Sequence, residues 1–181
     1  DTHRRGEAEV RLSDVDLDEH LTWRVDNVLV EGEPNLIWAD GGSGKSMFGL
    51  FLGTLIQQGY QNSEYGLVVE PGQVLYLDYE TKAKEIATRA RMIHAGLGLE
   101  ESDVVKTASK IIYKKCDQPL HAEVDRIRDL IYKHEVNVVI IDSMGMAVGG
   151  ELESAEEVLG FFRAIRQLGN VTSLIISHSN R

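Results

Sequence analysis

One cysteine, Cys116, is present among 181 residues. No disulfide can close within the chain, and a reducing cytoplasm is the expected compartment. No activating pattern surrounds Cys116, so a catalytic role is not expected of it. Prolines number only three, and 43% of residues are hydrophobic. That excludes whole-chain disorder and is enough for one globular domain with a sizeable core. No apolar run approaches the ~20 residues of a membrane span, so no membrane partner is expected. The first twenty residues are mostly charged and do not read as a signal peptide. Positive charge is scarce as well: 19 basic residues face 29 acidic ones, for a net charge of −10. This argues against an open, strongly basic nucleic-acid surface, leaving nucleic-acid contact to a few loops or to an assembly. Acidic runs such as DVDLDEH, Asp14–His20, read as solvated surface. The chain opens at Asp1 and closes at Arg181 just after an apolar run, as expected of a piece of a longer protein.

What is present alternates. Residues 1–20 read as a polar lead-in. LTWRVDNVLVEGE (Leu21–Glu33) reads as a strand or hairpin, and NLIWA (Asn35–Ala39) as a short buried strand that stops at glycines. From Lys45 to Gln58 a proline-free apolar pattern predicts a helix buried on several sides, with Met47, Phe48, Leu50, Phe51, Leu52, Leu55 and Ile56 around it. Gly49 and Gly53 lower its helix propensity but permit close approach to a sheet. GLVVEPGQVLYLDYE (Gly66–Glu80) reads as two strands about a Pro-Gly turn. A helix is expected from Thr81, as its cap, to Leu97. KIIYKK (Lys110–Lys115) is a weaker strand. His121–His134 is an amphipathic helix, and VNVVIID (Val136–Asp142) a fully buried strand. MGMAVGGELES reads as a glycine-containing loop. Ala155–Leu168 is a further helix, with Val158, Leu159, Phe161, Phe162 and Ile165 inward, and VTSLIISH (Val171–His178) is the last strand. Strands alternating with helices imply an α/β domain with a mainly parallel sheet, whose active groups collect at the strands' carboxyl ends.

The stretch WADGGSGKSM (Trp38–Met47) has the chemistry to hold a triphosphate. Backbone N–H groups of a glycine-rich turn surround the anion, and the following helix adds its positive end. Gly41, Gly42 and Gly44 let the backbone come close. Lys45 would neutralise β/γ-phosphate charge, and Ser46 would ligate Mg²⁺. The usual pattern is GxxxxGK[ST], and here Ala39 stands at its first position. Asp142, ending VNVVIID, can hold a water of the Mg²⁺ shell. Glu80, ending VLYLDYE, is the candidate to orient and deprotonate a water in line with the γ-phosphate. Asp78 shares its face by the period of two, as a supporting acid or a hydrogen-bonded structural group. His178 heads the polar cluster SHSNR. It either senses the γ-phosphate or is a strand-end histidine bonded to a neighbouring loop. Arg181 reads as a solvated residue or a phosphate contact. Arg89 and Arg91 read as an exposed or salt-bridged helix face, with phosphate or subunit contact as the alternative. The histidines at 3, 20, 94, 121 and 134 lack metal-ligand spacing.

ADGGSGKS, VLYLDYET, VNVVIIDS and LIISHSNR, in that order, resemble the four successive motifs of RecA-like P-loop ATPases. The resemblance runs from about Leu21 to Arg181, and its discriminating feature is a glutamate at the end of the second strand. Within that family the chain looks most similar to the plasmid and phage replicative helicase branch (RepA-like). The resemblance implies a RecA-like P-loop NTPase fold, with a twisted sheet in the order 3-2-4-5-1 and helices on both faces. It implies ATP and Mg²⁺ as cofactors, bound by the loop Asp40–Met47, with Glu80 as base, Asp142 on the Mg²⁺ water and His178 as coupling residue. It also implies hexameric rings or filaments, DNA as a partner in replication, and further strands beyond Arg181. Recombinase-type or circadian-type signalling ATPases are alternatives within the family. A nucleotide-binding switch with little catalysis is the alternative from another class. A small-molecule kinase fits poorly, because no lid-like arginine cluster is evident.

Overall fold

A computed structural model describes residues 11, 13, 21–60, 66–98, 110–149 and 154–178. The expected lead-in, Arg181 and its neighbours Ser179 and Asn180 fall almost wholly outside these residues. The strands are β1 (Trp23–Val25), β2 (Leu29–Val30), β3 (Pro34–Ala39), β4 (Gln73–Asp78), β5 (Ile112–Lys115), β6 (Val136–Asp142) and β7 (Thr172–His178). The helices are α1 (Lys45–Gln58), α2 (Ala83–Gly96), α3 (Leu120–His134), α4 (Met144–Val148) and α5 (Ala155–Gln167).

Five strands form one parallel sheet in the order β3-β7-β6-β4-β5. Counting from β3, that is the expected order 3-2-4-5-1 read from the other edge. β1 and β2 pair separately as an antiparallel hairpin. Side chains alternate across a strand, and here both faces are covered. Val74, Tyr76, Val138, Ile140, Leu174 and Ile176 pack toward α1, α2 and the hairpin. Leu75, Leu77, Val139, Ile141 and Ile175 pack toward α3, α4 and α5. A strand buried on both faces favours a near-continuous apolar run, and VNVVIID and VTSLIISH are mostly apolar, with Thr172, Ser173 and Ser177 buried in β7. β3 lies at the edge and is less covered: Leu36 and Trp38 remain 54% and 66% exposed. Pro34 opens this edge strand, a place where its missing N–H costs nothing.

The central helix α1 sits low on the sheet. A Cβ at Gly49 would meet Ile176 Cδ1 at 2.8 Å, and one at Gly53 would meet Ile140 Cδ1 at 2.8 Å. The two glycines therefore set how closely α1 approaches β7 and β6.

Three local expectations are corrected. Before the Pro-Gly turn there is no strand, only isolated bridge residues at Leu67 and Val69, the latter opposite Val25. The segment after Ser143 begins as the short helix α4, because Met144, Ala147 and Val148 have a core to bury into. Leu159 points outward, 54% exposed, while Phe161 and Ile165 occupy the inner face of α5. α1 is buried on several sides, as expected, with Leu50, Leu52, Leu55 and Ile56 all enclosed, and Phe48 is its exposed position at 44%. Among the described residues, no helix is long and apolar enough to cross a membrane.

Candidate nucleotide site

β3 stops at Ala39 because the next residues are a turn built on glycine. Gly42 and Gly44 take φ of 75° and 88°, the left-handed region that costs side-chain-bearing residues dear. Ala39 itself is the last paired residue of β3, opposite His178. Its backbone is extended there, so alanine fits where the usual pattern has glycine. Gly44 is the N-cap of α1, and no side chain caps that end. The first N–H groups of a helix have no partner within it, so this end offers them, with the helix dipole, to an anion. Lys45 is 6% exposed, and its ammonium donates to the carbonyls of Ala39 and Asp40, both at 2.6 Å, and to Ser43 Oγ at 3.3 Å.

The neighbouring strand ends bring their groups to the same place. A cleft of about 340 Å³ is lined by Gly42, Ser43, Gly44, Lys45, Ser46, Met47, Arg89 and His178. The register Asp78↔Asp142 sets β4 and β6 level. Glu80 follows β4 with its side chain 38% exposed, accepts a hydrogen bond from Ser143 Oγ and lies 3.5 Å from His178 Nε2. Asp142 is buried, and its Oδ2 accepts from the Tyr76 hydroxyl at 2.6 Å. Its Oδ1 has no hydrogen-bond partner among the described residues. Burial, with the nearby charges of Glu80 and Asp78, holds the Asp142 carboxyl above the usual carboxylate range, against the lowering effect of Tyr76 and Ser46. A buried carboxylate with one bare oxygen beside a hydroxyl suits a cation better than it suits bare protein. Among the described residues, no three His, Cys, Asp or Glu side chains converge as a metal site of their own.

Lys45, Ser46, Asp142, Glu80 and His178 are thus brought to one edge. Asp78 departs from the expectation of a shared face. β4 ends at Asp78, the chain turns, and Asp78 is buried while Glu80 is not. Thr81 does not cap α2: its hydroxyl donates to Asp78 Oδ2 instead, and Lys82 stands at the cap. Arg89 takes the salt-bridged reading, pairing with Glu85 at 2.5 Å, and it also lines the cleft. Arg91 is exposed. Two contributors escaped the sequence reading, Tyr76 and Ser143. Tyr76 carried a signal, since it lies two residues before Asp78 and so on the same face. Ser143 carried only its adjacency to Asp142. The peptide bond joining Asp142 and Ser143 is cis.

A strand, a glycine turn with lysine and serine at the start of a buried helix, and acidic groups at adjacent parallel strand ends define the class of P-loop nucleotide-binding proteins. The sequence model of a family described as an AAA domain matches residues 3–181. The chain belongs to that family of AAA-type P-loop ATPases. No curated protein sequence matches it.

Proposed function

We propose that this chain binds Mg·ATP at the start of α1 and hydrolyses it by in-line attack of water on the γ-phosphate. The observation that carries this reading is the meeting of Glu80, Ser143 and His178 beside the glycine turn. The Glu80 side chain is 38% exposed, so a water can reach it, and it lies 3.5 Å from His178, which lines the cleft. In this reading Glu80 orients and deprotonates the attacking water, and Ser143 and His178 hold its carboxylate in place. Lys45 leaves its backbone carbonyls to neutralise β/γ-phosphate oxygens. The amides of Asp40–Met47 surround the phosphates. The metal would be held by the Ser46 hydroxyl and phosphate oxygens, with Asp142 Oδ1 reaching it through water. The unpartnered oxygen and the raised proton affinity of Asp142 support that fit. Bound Mg²⁺ supplies charge neutralisation between the β- and γ-phosphates. His178 touches both Glu80 and the cleft, which suits a group that reports the γ-phosphate. Arg89 is the cation of α2 within the same cleft.

The motif order extends the reading to a DNA-processing assembly of several copies, of the replicative helicase type. The test is turnover and nucleotide binding measured together. Lys45→Ala is expected to lose ATP binding. Glu80→Gln is expected to bind ATP like the parent and hydrolyse it about 100-fold more slowly, the low end for a lost general base. A Lys45→Ala protein with unchanged affinity sinks the phosphate-loop reading. DNA-stimulated turnover of the full-length protein supports the helicase extension, and its absence with any nucleic acid overturns it.

A further inference from the structure

Asp78 faces away from solvent and lines no part of the phosphate cleft, yet four hydrogen bonds end on its two oxygens. Oδ1 accepts from the amides of Glu80 at 2.9 Å and Thr81 at 2.8 Å. Oδ2 accepts from the Thr81 hydroxyl at 2.8 Å and from the Tyr113 hydroxyl at 2.9 Å. Lys115 brings its ammonium to 4.0 Å. The main chain around it is held as well: the Cys116 amide donates to the Asp78 carbonyl at 2.9 Å, and the Tyr79 amide to the Asp142 carbonyl at 2.7 Å. Two of these bonds answer a local problem. β4 ends at Asp78 and α2 starts at Ala83, so Tyr79–Lys82 must turn with no regular structure to take their N–H groups. Asp78 takes two of them.

We propose that Asp78 is the positioning residue for Glu80, fixing the turn that aims its carboxylate at the cleft, with Tyr113 and Thr81 holding Asp78 in turn. This rests on Glu80 acting as the base. A base must meet its water within a few tenths of an ångström, and a misplacement of 1 Å from a remote change costs about 100-fold. Ser143 and His178 reach only the end of the Glu80 side chain. Asp78 sets where that side chain begins. Tyr113 and Lys115 belong to the edge strand β5, so the outermost strand of the sheet is tied through Asp78 to the turn that carries Glu80.

The experiment measures kcat, KM and nucleotide affinity of the full protein for a graded series. Asp78→Ala removes both acceptors. Its kcat is expected to fall about 100-fold, with ATP affinity within about threefold of the parent. Asp78→Asn keeps one oxygen for the two amides, and is expected to recover most of that loss. Thr81→Val combined with Tyr113→Phe strips Oδ2 alone with little change of shape, and about tenfold is expected in kcat with KM unchanged. Asp78→Ala added to Glu80→Gln should cost nothing further. The proposal is overturned if ATP affinity falls in step with kcat, if Asp78→Asn is no better than Asp78→Ala, or if the double variant at Thr81 and Tyr113 turns over like the parent. That double variant decides the matter where Asp78→Ala does not fold. A Glu80→Gln protein as fast as the parent overturns the base assignment and the proposal together. A slow Glu80→Gln beside a fast Asp78 series overturns the positioning alone.

Discussion

Asp78 and Asp142 stand opposite one another in register at the ends of adjacent parallel strands, and both are buried. Their surroundings treat the same negative charge in opposite ways. Burial raises the proton affinity of each. At Asp78 that effect is outweighed by hydrogen bonds from Thr81, Tyr113 and Glu80, and its carboxyl lies below the usual range. At Asp142 burial wins, reinforced by two neighbouring carboxylates, and its carboxyl lies above. One acid is saturated by the protein, and the other retains a bare oxygen. The difference separates an acid that shapes the chain from one kept available for something brought from outside, two roles that the residue type alone does not distinguish.

The contrast is sharpest in paired variants. Asp142→Asn is expected to slow ATP turnover about 100-fold while leaving the ligand-free fold at least as stable, because a poorly satisfied buried charge is removed. Asp78→Ala should do the reverse to stability, costing about 2 kcal/mol by removing the acceptor of two part-buried amides that have no other acceptor among the described residues. Thermal or urea unfolding without nucleotide checks both, and a stability loss larger at Asp142 than at Asp78 breaks the comparison. Tyr76→Phe keeps the buried ring and removes the bond to Asp142 Oδ2. The Mg²⁺ concentration giving half-maximal turnover is expected to rise about tenfold, as for other groups that orient a metal's outer shell. An unchanged Mg²⁺ titration would separate Tyr76 from the metal.

The smallest effect is in the acid limb of stability, and there the two residues have opposite signs. The folded state depresses the Asp78 pKa. Its contribution is therefore full above the unfolded value, about 3.9, and is lost as the pH falls through the folded value. The folded state raises the Asp142 pKa, so stability declines as the pH climbs from that same unfolded value to the raised one. Asp78→Asn should flatten the first change and Asp142→Asn the second, as read by urea midpoints across the acid range. Identical shifts from the two variants would contradict the opposed surroundings.

Much of this arrangement was written in apolar runs. VNVVIID and VTSLIISH announce strands covered on both faces, and a charged or polar residue closing each run marks the sheet edge where Asp142 and His178 lie. The glycines and Lys45-Ser46 locate the turn. Parity is what failed. Counting by twos puts Asp78 and Glu80 on one face, but the strand stops at Asp78, and where a strand stops depends on who accepts the next amides. That acceptor is Asp78 itself, steadied by Tyr113 from 35 residues away, a contact no local pattern contains. α4 was hidden for a related reason. MGMAVGG has two glycines after its apolar residues and too few turns to show a period, so only the core beneath it makes it helical. Ala39 reads as a flaw in the motif until its extended backbone is seen.

Gly49 and Gly53 give the site a mechanical property. Helices usually rest on a sheet through a cushion of side chains that can shear. Under α1 that cushion is thinned to bare backbone over Ile176 and Ile140, on the strands that end in His178 and Asp142. The helix that begins at the glycine turn is thus clamped to both, leaving little play between that turn and the strand tips. A push on the turn is passed on as displacement of those tips rather than absorbed as slack.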